Sequence, residues 1–220
     1  MDGIVFDMDG VLIDSHPVHR DAWRKFLATI GRTVTNEELD FILEGRRREE
    51  ILRHFLGCIS PAKVAEYGHR KDLIFEENFE NVKLIPGVLD LLNRLESSGL
   101  VAGLATSASA GRTRGTLLRL GLQKKFVAVV TGDDVNAGKP DPAVYKVAAE
   151  RMNLPPERLL ALEDAPCGVQ AAKSAGMKCV GVSTNGRADM LRRCGAEFVV
   201  PDFRGGSIEK VLSFFSCSHA

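Results

Sequence analysis

The chain has 220 residues, 45% hydrophobic and 26% charged, with Lys plus Arg and Asp plus Glu balanced at 29 each. That suits one large or two small soluble domains with a sizeable core, and zero net charge offers no field to recruit nucleic acid or an anionic membrane. No apolar run approaches the ~20 residues that span a bilayer, and no basic region followed by an apolar one opens the chain.

The five cysteines (Cys58, Cys167, Cys179, Cys194, Cys217) show no C-x-x-C spacing and no histidine pattern. They speak against a zinc site or a disulfide framework, and a cytoplasmic protein with reduced thiols is the expectation.

Residues 3–7 predict a short buried strand, with Ile4, Val5 and Phe6 running into Asp7. From about residue 16 to 83 the pattern is helical. Val18, Ala22, Phe26, Leu27 and Ile30 fall near helical spacing and Gly31 stops that helix. Thr35-Asn36-Glu37-Glu38 is a capping box opening a short helix that carries Leu39, Ile42 and Leu43. After Gly45, the residues Ile51, Leu52, Phe55 and Leu56 mark another. Ser60-Pro61 opens a helix predicted to run to about Glu80, with Gly68 as a candidate break.

Beyond Pro86-Gly87 the chain alternates strand and helix. A helix face from Val88 to Leu95 is followed by strands at 101–105, 126–131, 159–163, 178–182 and 198–200. Helices fall between them at 111–120, 142–152, 166–175 and 187–194. The strands are apolar on both faces, the sign of a parallel sheet covered by helices. The expected class is α/β: a doubly wound, Rossmann-like parallel sheet, residues 1–15 and 84–220, with an inserted α-helical domain, residues 16–83. The joins near 14–17 and 81–86 should act as two adjacent hinges.

Ligands of such sheets collect beyond the carboxyl ends of the strands. There the first strand offers Asp7-Met8-Asp9, the second Thr106-Ser107 and the third Thr131-Gly132-Asp133-Asp134. Lys139 lies in the loop that follows, and the fourth strand ends in Glu163-Asp164. In an extended segment Asp7 and Asp9 project to one side, although Asp9-Gly10 also reads as a hairpin turn. Clustered carboxylates select a hard cation such as magnesium, and metal plus lysine would neutralise a phosphoryl dianion. Asp7 then suits a nucleophile forming an aspartyl-phosphate, and Asp9 an acid/base. Asp133 and Asp134 read as turn or cap residues and Asp141 as an N-cap. Cys167 reads as a packed residue, and Gly168, Ala171, Ala172 and Ala175 as a helix face lying close to the sheet.

These residues, in this order, resemble the haloacid dehalogenase superfamily. Asp7-Met8-Asp9-Gly10-Val11 matches its D-x-D-G-[VT] motif, and Leu104-Ala105-Thr106-Ser107 its Thr/Ser strand end. Gly138-Lys139-Pro140-Asp141-Pro142 matches the lysine loop and Glu163-Asp164 the final acidic pair. The resemblance implies magnesium held by the Asp7 carboxylate, the Asp9 backbone carbonyl and Asp164, with Glu163 a ligand or its neighbour. It also implies Lys139 pairing with Asp7 and phosphate, and Thr106 with the Ser107 amide holding phosphate oxygens.

The helical insertion stands where that family places a cap, and it is similar to the β-phosphoglucomutase and sugar-phosphatase branch. His19 and Trp23 lie on its first helix, Gly45-Arg46-Arg47-Arg48-Glu49 resembles a G-x-x-R-[ED] loop, and Arg70-Lys71-Asp72 an R-K-[ND] element. Arg48, His19 and Lys71 are thus candidate substrate contacts. The bland alternatives are a core Trp23, a surface His19 and a solvated run at Arg46–Arg48. The branch's Ser-Ala-Ser-x-Asn segment is Ser107-Ala108-Ser109-Ala110-Gly111 here, without the asparagine that would grip a second phosphate.

The expectation is a magnesium-dependent phosphatase acting on a small phosphorylated metabolite, a sugar phosphate, as a monomer without nucleic-acid or membrane partners. A β-phosphoglucomutase-like transferase is the alternative. A phosphorylation-dependent signalling module or a silent binding protein fits less well, and a dehalogenase would have no call for Asp9 or Asp164.

Overall fold

A computed structural model describes residues 1–184 and 186–215; Cys217 lies outside the described residues. Strand β1 (Gly3–Phe6) is buried throughout and is central in a six-stranded sheet of order β5-β4-β1-β6-β7-β8. The other strands are β4 (Val101–Ala105), β5 (Ala128–Val130), β6 (Leu159–Glu163), β7 (Lys178–Val182) and β8 (Val199–Val200). Every pairing among them is parallel. Ile4 and Phe6 pack into one apolar cluster and Val5 into another, so both faces of β1 are covered. That two-sided burial is why the strand shows no polar alternation.

Helices α4 (Val88–Ser97), α5 (Ala110–Arg119), α6 (Ala143–Arg151), α7 (Pro166–Ser174) and α8 (Ala188–Arg193) fill the intervals between strands. A last helix, α9 (Gly206–Leu212), was not legible beforehand; its Ile208 and Val211 join the same core as β1. The third predicted strand is shorter than 126–131: pairing begins only where Ala128 meets Gly103. From β1 the chain moves to β4 on one side, whereas from β6 it moves to β7 on the other. The crevice where connections diverge therefore opens between the carboxyl ends of β1 and β6.

The inserted block consists of α1 (His16–Thr29), a 3₁₀ turn at Glu38–Leu43, α2 (Arg48–Leu56) and α3 (Pro61–Glu77). It has its own apolar core around Trp23, Phe26, Leu39, Leu52 and Phe55. The capping box forms, with the Glu38 amide donating to Thr35 Oγ1 (3.2 Å) and the Thr35 amide to Glu38. Helix α3 ends at Glu77, not Glu80, and a 3₁₀ turn at Phe79–Asn81 follows. Gly68 does not interrupt it: a Cβ there would lie 2.4 Å from Arg48 Cδ, so the glycine admits the arginine. Block and sheet are joined by two short strands, β2 (Ile13–Asp14) and β3 (Lys83–Leu84), paired antiparallel. Two residues each are too few for a hydrophobic period to register.

Candidate active site

The chain leaves β1 at Asp7, whose amide donates to the Leu162 carbonyl of β6 (3.0 Å), and then turns sharply. The Leu12 and Ile13 amides both donate to the Met8 carbonyl and Gly10 adopts φ +81°. Asp9-Gly10 is a tight turn, but not a hairpin: β1 pairs with β4 and β6, and the strand after the turn, β2, pairs with β3. A Cβ on Gly10 would lie 2.3 Å from Asp164 Oδ2, so glycine is required by contact as well as by backbone angle.

Beneath this turn lies a buried charge network. Lys139, 1% exposed, donates through Nζ to Asp7 Oδ1 (2.6 Å), Glu163 Oε1 (2.6 Å) and the Ala105 carbonyl (3.2 Å). Glu163 also accepts from Tyr145 Oη (2.7 Å) and from the Asp164 and Ala165 amides (3.0 and 3.2 Å). A carboxylate has about four acceptor sites, so Glu163 is saturated. Burial would lower Lys139, but Asp7 and Glu163 outweigh it and raise the ammonium above its ordinary range. Burial also pushes the Asp7 carboxyl well up, helped by Glu163 and Asp164 and opposed by Lys139.

Asp7, Glu163 and Asp164 each offer an oxygen, all within 4.8 Å of one another. Asp164 Oδ2 is buried without a directed hydrogen bond, its nearest cationic partner being His16 Nε2 at 3.0 Å. Burial alone would lower the His16 imidazole, yet the Asp164 carboxylate outweighs it and raises it. Hard oxygen donors around an under-satisfied buried carboxylate fit a magnesium-sized cation.

The Asp9 carboxylate has a separate set of partners, drawn from both the sheet's helices and the insertion. Its carboxylate accepts from Arg112 Nη1 (3.0 Å) and Nη2 (2.5 Å), Ser15 Oγ (2.6 Å) and His19 Nε2 (3.2 Å). Although burial raises it, Arg112 and His19 hold this carboxyl well below the usual range. Ser15 stands at the N-cap of α1 but makes no side-chain cap there; its hydroxyl goes to Asp9. His19 is lowered to about 3 by burial and Lys71, so it is neutral. It then donates from Nε2 to Asp9 and accepts from Lys71 Nζ on Nδ1 (2.9 Å), stacked on Phe75. Lys71, 4% exposed, is lowered by burial to about 8.

Of the residues singled out in the sequence, Asp7, Asp9, Thr106, Ser107, Asp164, His19, Arg48 and Lys71 all line one cleft, with Lys139 and Glu163 packed against Asp7 below it. Thr106 is 1% exposed and its Oγ1 accepts from the Ala108 amide (3.1 Å). Ser107 donates through Oγ to the Gly45 carbonyl (2.8 Å), tying the sheet to the insertion. Trp23 is both core and cleft wall. Asp133 and Asp134 cap: the Ala110 amide donates to Asp133 (2.8 Å) and the Thr131 amide to Asp134 (2.8 Å). The Ala143 amide donates to Asp141 (2.9 Å), and Cys167 is buried. Arg112, His16, Ser15 and Tyr145 are not among the candidates the sequence offers, and Asp72 enters there only as the last residue of the Arg70-Lys71-Asp72 element, with no role of its own. Of the first four, Arg112 has a usable signal, as a cation on the first turn of the helix after a Thr/Ser strand end.

Among proteins of known name, the chain is 34% identical over 190 residues to a phosphorylated carbohydrates phosphatase from Thermotoga maritima, covering 81% of this chain and 83% of that one. It is 32% identical over 192 residues to hexitol phosphatase A from Escherichia coli, covering 86% of each. Among solved structures, β-phosphoglucomutase from Clostridium difficile superposes with a TM-score of 0.84 at 25% identity, over 98% of this chain and 99% of that one. A family description, haloacid dehalogenase-like hydrolase, matches residues 4–182, from the second residue of β1 to the last of β7. Four strand ends meeting in one crevice, and a match running through all of them, lead to one statement: this chain belongs to the haloacid dehalogenase-like hydrolases, in the branch that holds sugar phosphatases and phosphoglucomutases.

Proposed function

We propose that the protein is a magnesium-dependent phosphomonoesterase that hydrolyses a sugar phosphate through an aspartyl-phosphate on Asp7. The observation that carries this reading is the Asp7 carboxylate at the end of the central strand, with Oδ1 clamped by a buried lysine. That clamp orients a nucleophile whose attack on phosphorus needs its charge partly screened.

Asp7 and Asp164 would hold the cation together with the Asp9 backbone carbonyl. Glu163, its acceptor sites filled by Lys139, Tyr145 and two amides, serves the lysine instead. When bound, magnesium supplies charge neutralisation at the phosphoryl oxygens. Thr106 and the Ser107 amide bind the remaining oxygens. The Asp9 carboxylate is ionised while Arg112 grips it, the form that takes a proton from attacking water. Donating a proton to the leaving oxygen requires Arg112 to give way first.

Residues 16–83 act as a cap over a core made of 1–15 and 84–220, with the β2–β3 ribbon as the hinge. Support comes from contacts across the cleft rim: Ser107 to Gly45, Arg47 Nη1 to the Asn136 carbonyl (3.0 Å) and Arg187 Nη1 to the Leu43 carbonyl (2.8 Å). A closed cap excludes bulk water.

A phosphate-release screen over phosphorylated sugars, with magnesium and with chelator, tests the reading. Metal-dependent release is expected. The relatedness to phosphoglucomutases makes β-glucose 1-phosphate the decisive substrate: conversion to glucose 6-phosphate with negligible free phosphate would replace the hydrolase by a mutase.

A further inference from the structure

The four cationic side chains of Arg46, Arg48, Lys71 and Arg112 line the cleft beyond Asp7, and each already has a carboxylate partner. Arg46 bonds Glu44 (2.8 Å) and Glu50 (3.3 Å), and Arg112 holds Asp9. Arg48 donates through Nη1 to Asp72 Oδ2 (2.8 Å), while Lys71 Nζ lies 3.6 Å from Asp72 Oδ1. Ser109 Oγ also donates to Asp72 Oδ2 (3.3 Å). Asp72 therefore lines the cleft as a shared partner, accepting hydrogen bonds from Ser109 of the sheet's loops and Arg48 of the insertion and pairing electrostatically with Lys71.

This arrangement discriminates by charge. A second phosphate or a carboxylate reaching Arg48 would bring its charge beside the largely buried Asp72 carboxylate, a like charge in a poorly solvated site. A hydroxyl suits both partners: it donates to Asp72, an acceptor only, and accepts from the Arg48 N–H groups that Asp72 does not use. Trp23, Ile42 and Ile51 add an apolar wall to the cleft, suited to the carbon face of a polyol.

We propose that Asp72 makes the far end of the cleft select an uncharged, hydroxyl-bearing group and reject a second anion, so that the substrate is a polyol or sugar monophosphate and not a bisphosphate or a phosphorylated sugar acid. The proposal rests on the phosphatase reading of the same cleft.

A matched pair tests it: glucitol 6-phosphate and 6-phosphogluconate, which differ at the far end by a hydroxymethyl against a carboxylate. The native enzyme should favour the alditol at least 10-fold in kcat/KM, chiefly through KM. Asp72→Asn should bring the ratio within about 3-fold by lowering KM for the acid, and Asp72→Glu should restore the preference. Calorimetric binding of both compounds to Asp7→Asn protein, with and without Asp72→Asn, reads the same ratio without turnover. Parity in the native protein, or a preference unchanged in a normally melting Asp72→Asn variant, overturns the proposal. If no phosphomonoester releases phosphate, the hydrolase reading fails on its own, and the binding ratio still decides selectivity: preference for the alditol supports it, parity refutes it.

Discussion

Replacing Gly168 by alanine sets two physical arguments against each other. Gly168 lies within α7 at an ordinary helical angle, so propensity alone makes Gly168→Ala stabilising by about 0.5–1 kcal/mol. The structure predicts the reverse. An added Cβ would lie 1.9 Å from Glu163 Oε1, 2.0 Å from its Cδ and 2.2 Å from Oε2, where real contacts stay beyond 3.0 Å. The carboxylate must retreat by about 1 Å, yet it is 0% exposed and held by Lys139, Tyr145 and two amides. Breaking a buried ion pair costs about 3–5 kcal/mol, leaving a net loss of roughly 2–4 kcal/mol after the propensity gain. At about 2–4 °C per kcal/mol for a chain of this size, Tm should fall by roughly 4–16 °C. Displacing Lys139 by about 1 Å along with the carboxylate should lower kcat on the order of 100-fold. Thermal melting by circular dichroism and phosphate release on one preparation read both effects. A Gly168→Ala protein that melts at or above the native temperature with full activity would refute this account of the α7–β6 contact.

Asp7→Asn should remove measurable phosphate release while leaving the far-ultraviolet spectrum unchanged; near-normal turnover would reassign the nucleophile. Magnesium at 100-fold its dissociation constant should stabilise by about 2.7 kcal/mol, visible as a higher Tm that chelator reverses, and no shift would count against the Asp7–Asp164 cluster. Burial raises Asp134, but Thr131 and Arg151 outweigh it and lower its carboxyl below the usual carboxylate range. Its contribution is therefore present above the unfolded-state pKa of about 3.9 and is lost as pH falls through the lower folded value. The Tm gap between native and Asp134→Asn protein should be open at pH 7 and close toward pH 3; a gap independent of pH would show that charge is not its origin.

The placement of the candidate site was legible because a buried parallel sheet writes itself as apolar runs, and the runs of β1, β4 and β6 stop at polar residues that line the cleft. Asp7, Thr106, Lys139 and Glu163-Asp164 could be aligned on that rim before any contact was known. What stayed hidden were partners chosen by tertiary geometry. Arg112 grips Asp9 across 103 positions, and in the sequence it is one arginine among several on α5. Tyr145 reads as a core aromatic of α6, which it is at 0% exposure, but its hydroxyl serves Glu163. Glu163 could not be separated from Asp164 by pattern; only its saturated oxygens distinguish the two. Gly68 looked like a helix breaker because a sequence displays the residue and not the arginine that needs its space.

The β2–β3 ribbon has a consequence for how such a protein can change. Ile13 faces Leu84 and Asp14 faces Lys83, so everything from residue 15 to residue 82 is a single excursion whose ends coincide. The entropy of closing such an excursion grows only with the logarithm of its length, and the register of the main sheet is set by pairings that lie wholly outside it. The segment is thus an exchangeable cassette. A different sequence anchored at the same two residue pairs would leave Asp7, Thr106, Lys139 and Asp164 in place and exchange the side chains of residues 16–83 that share the cleft with them.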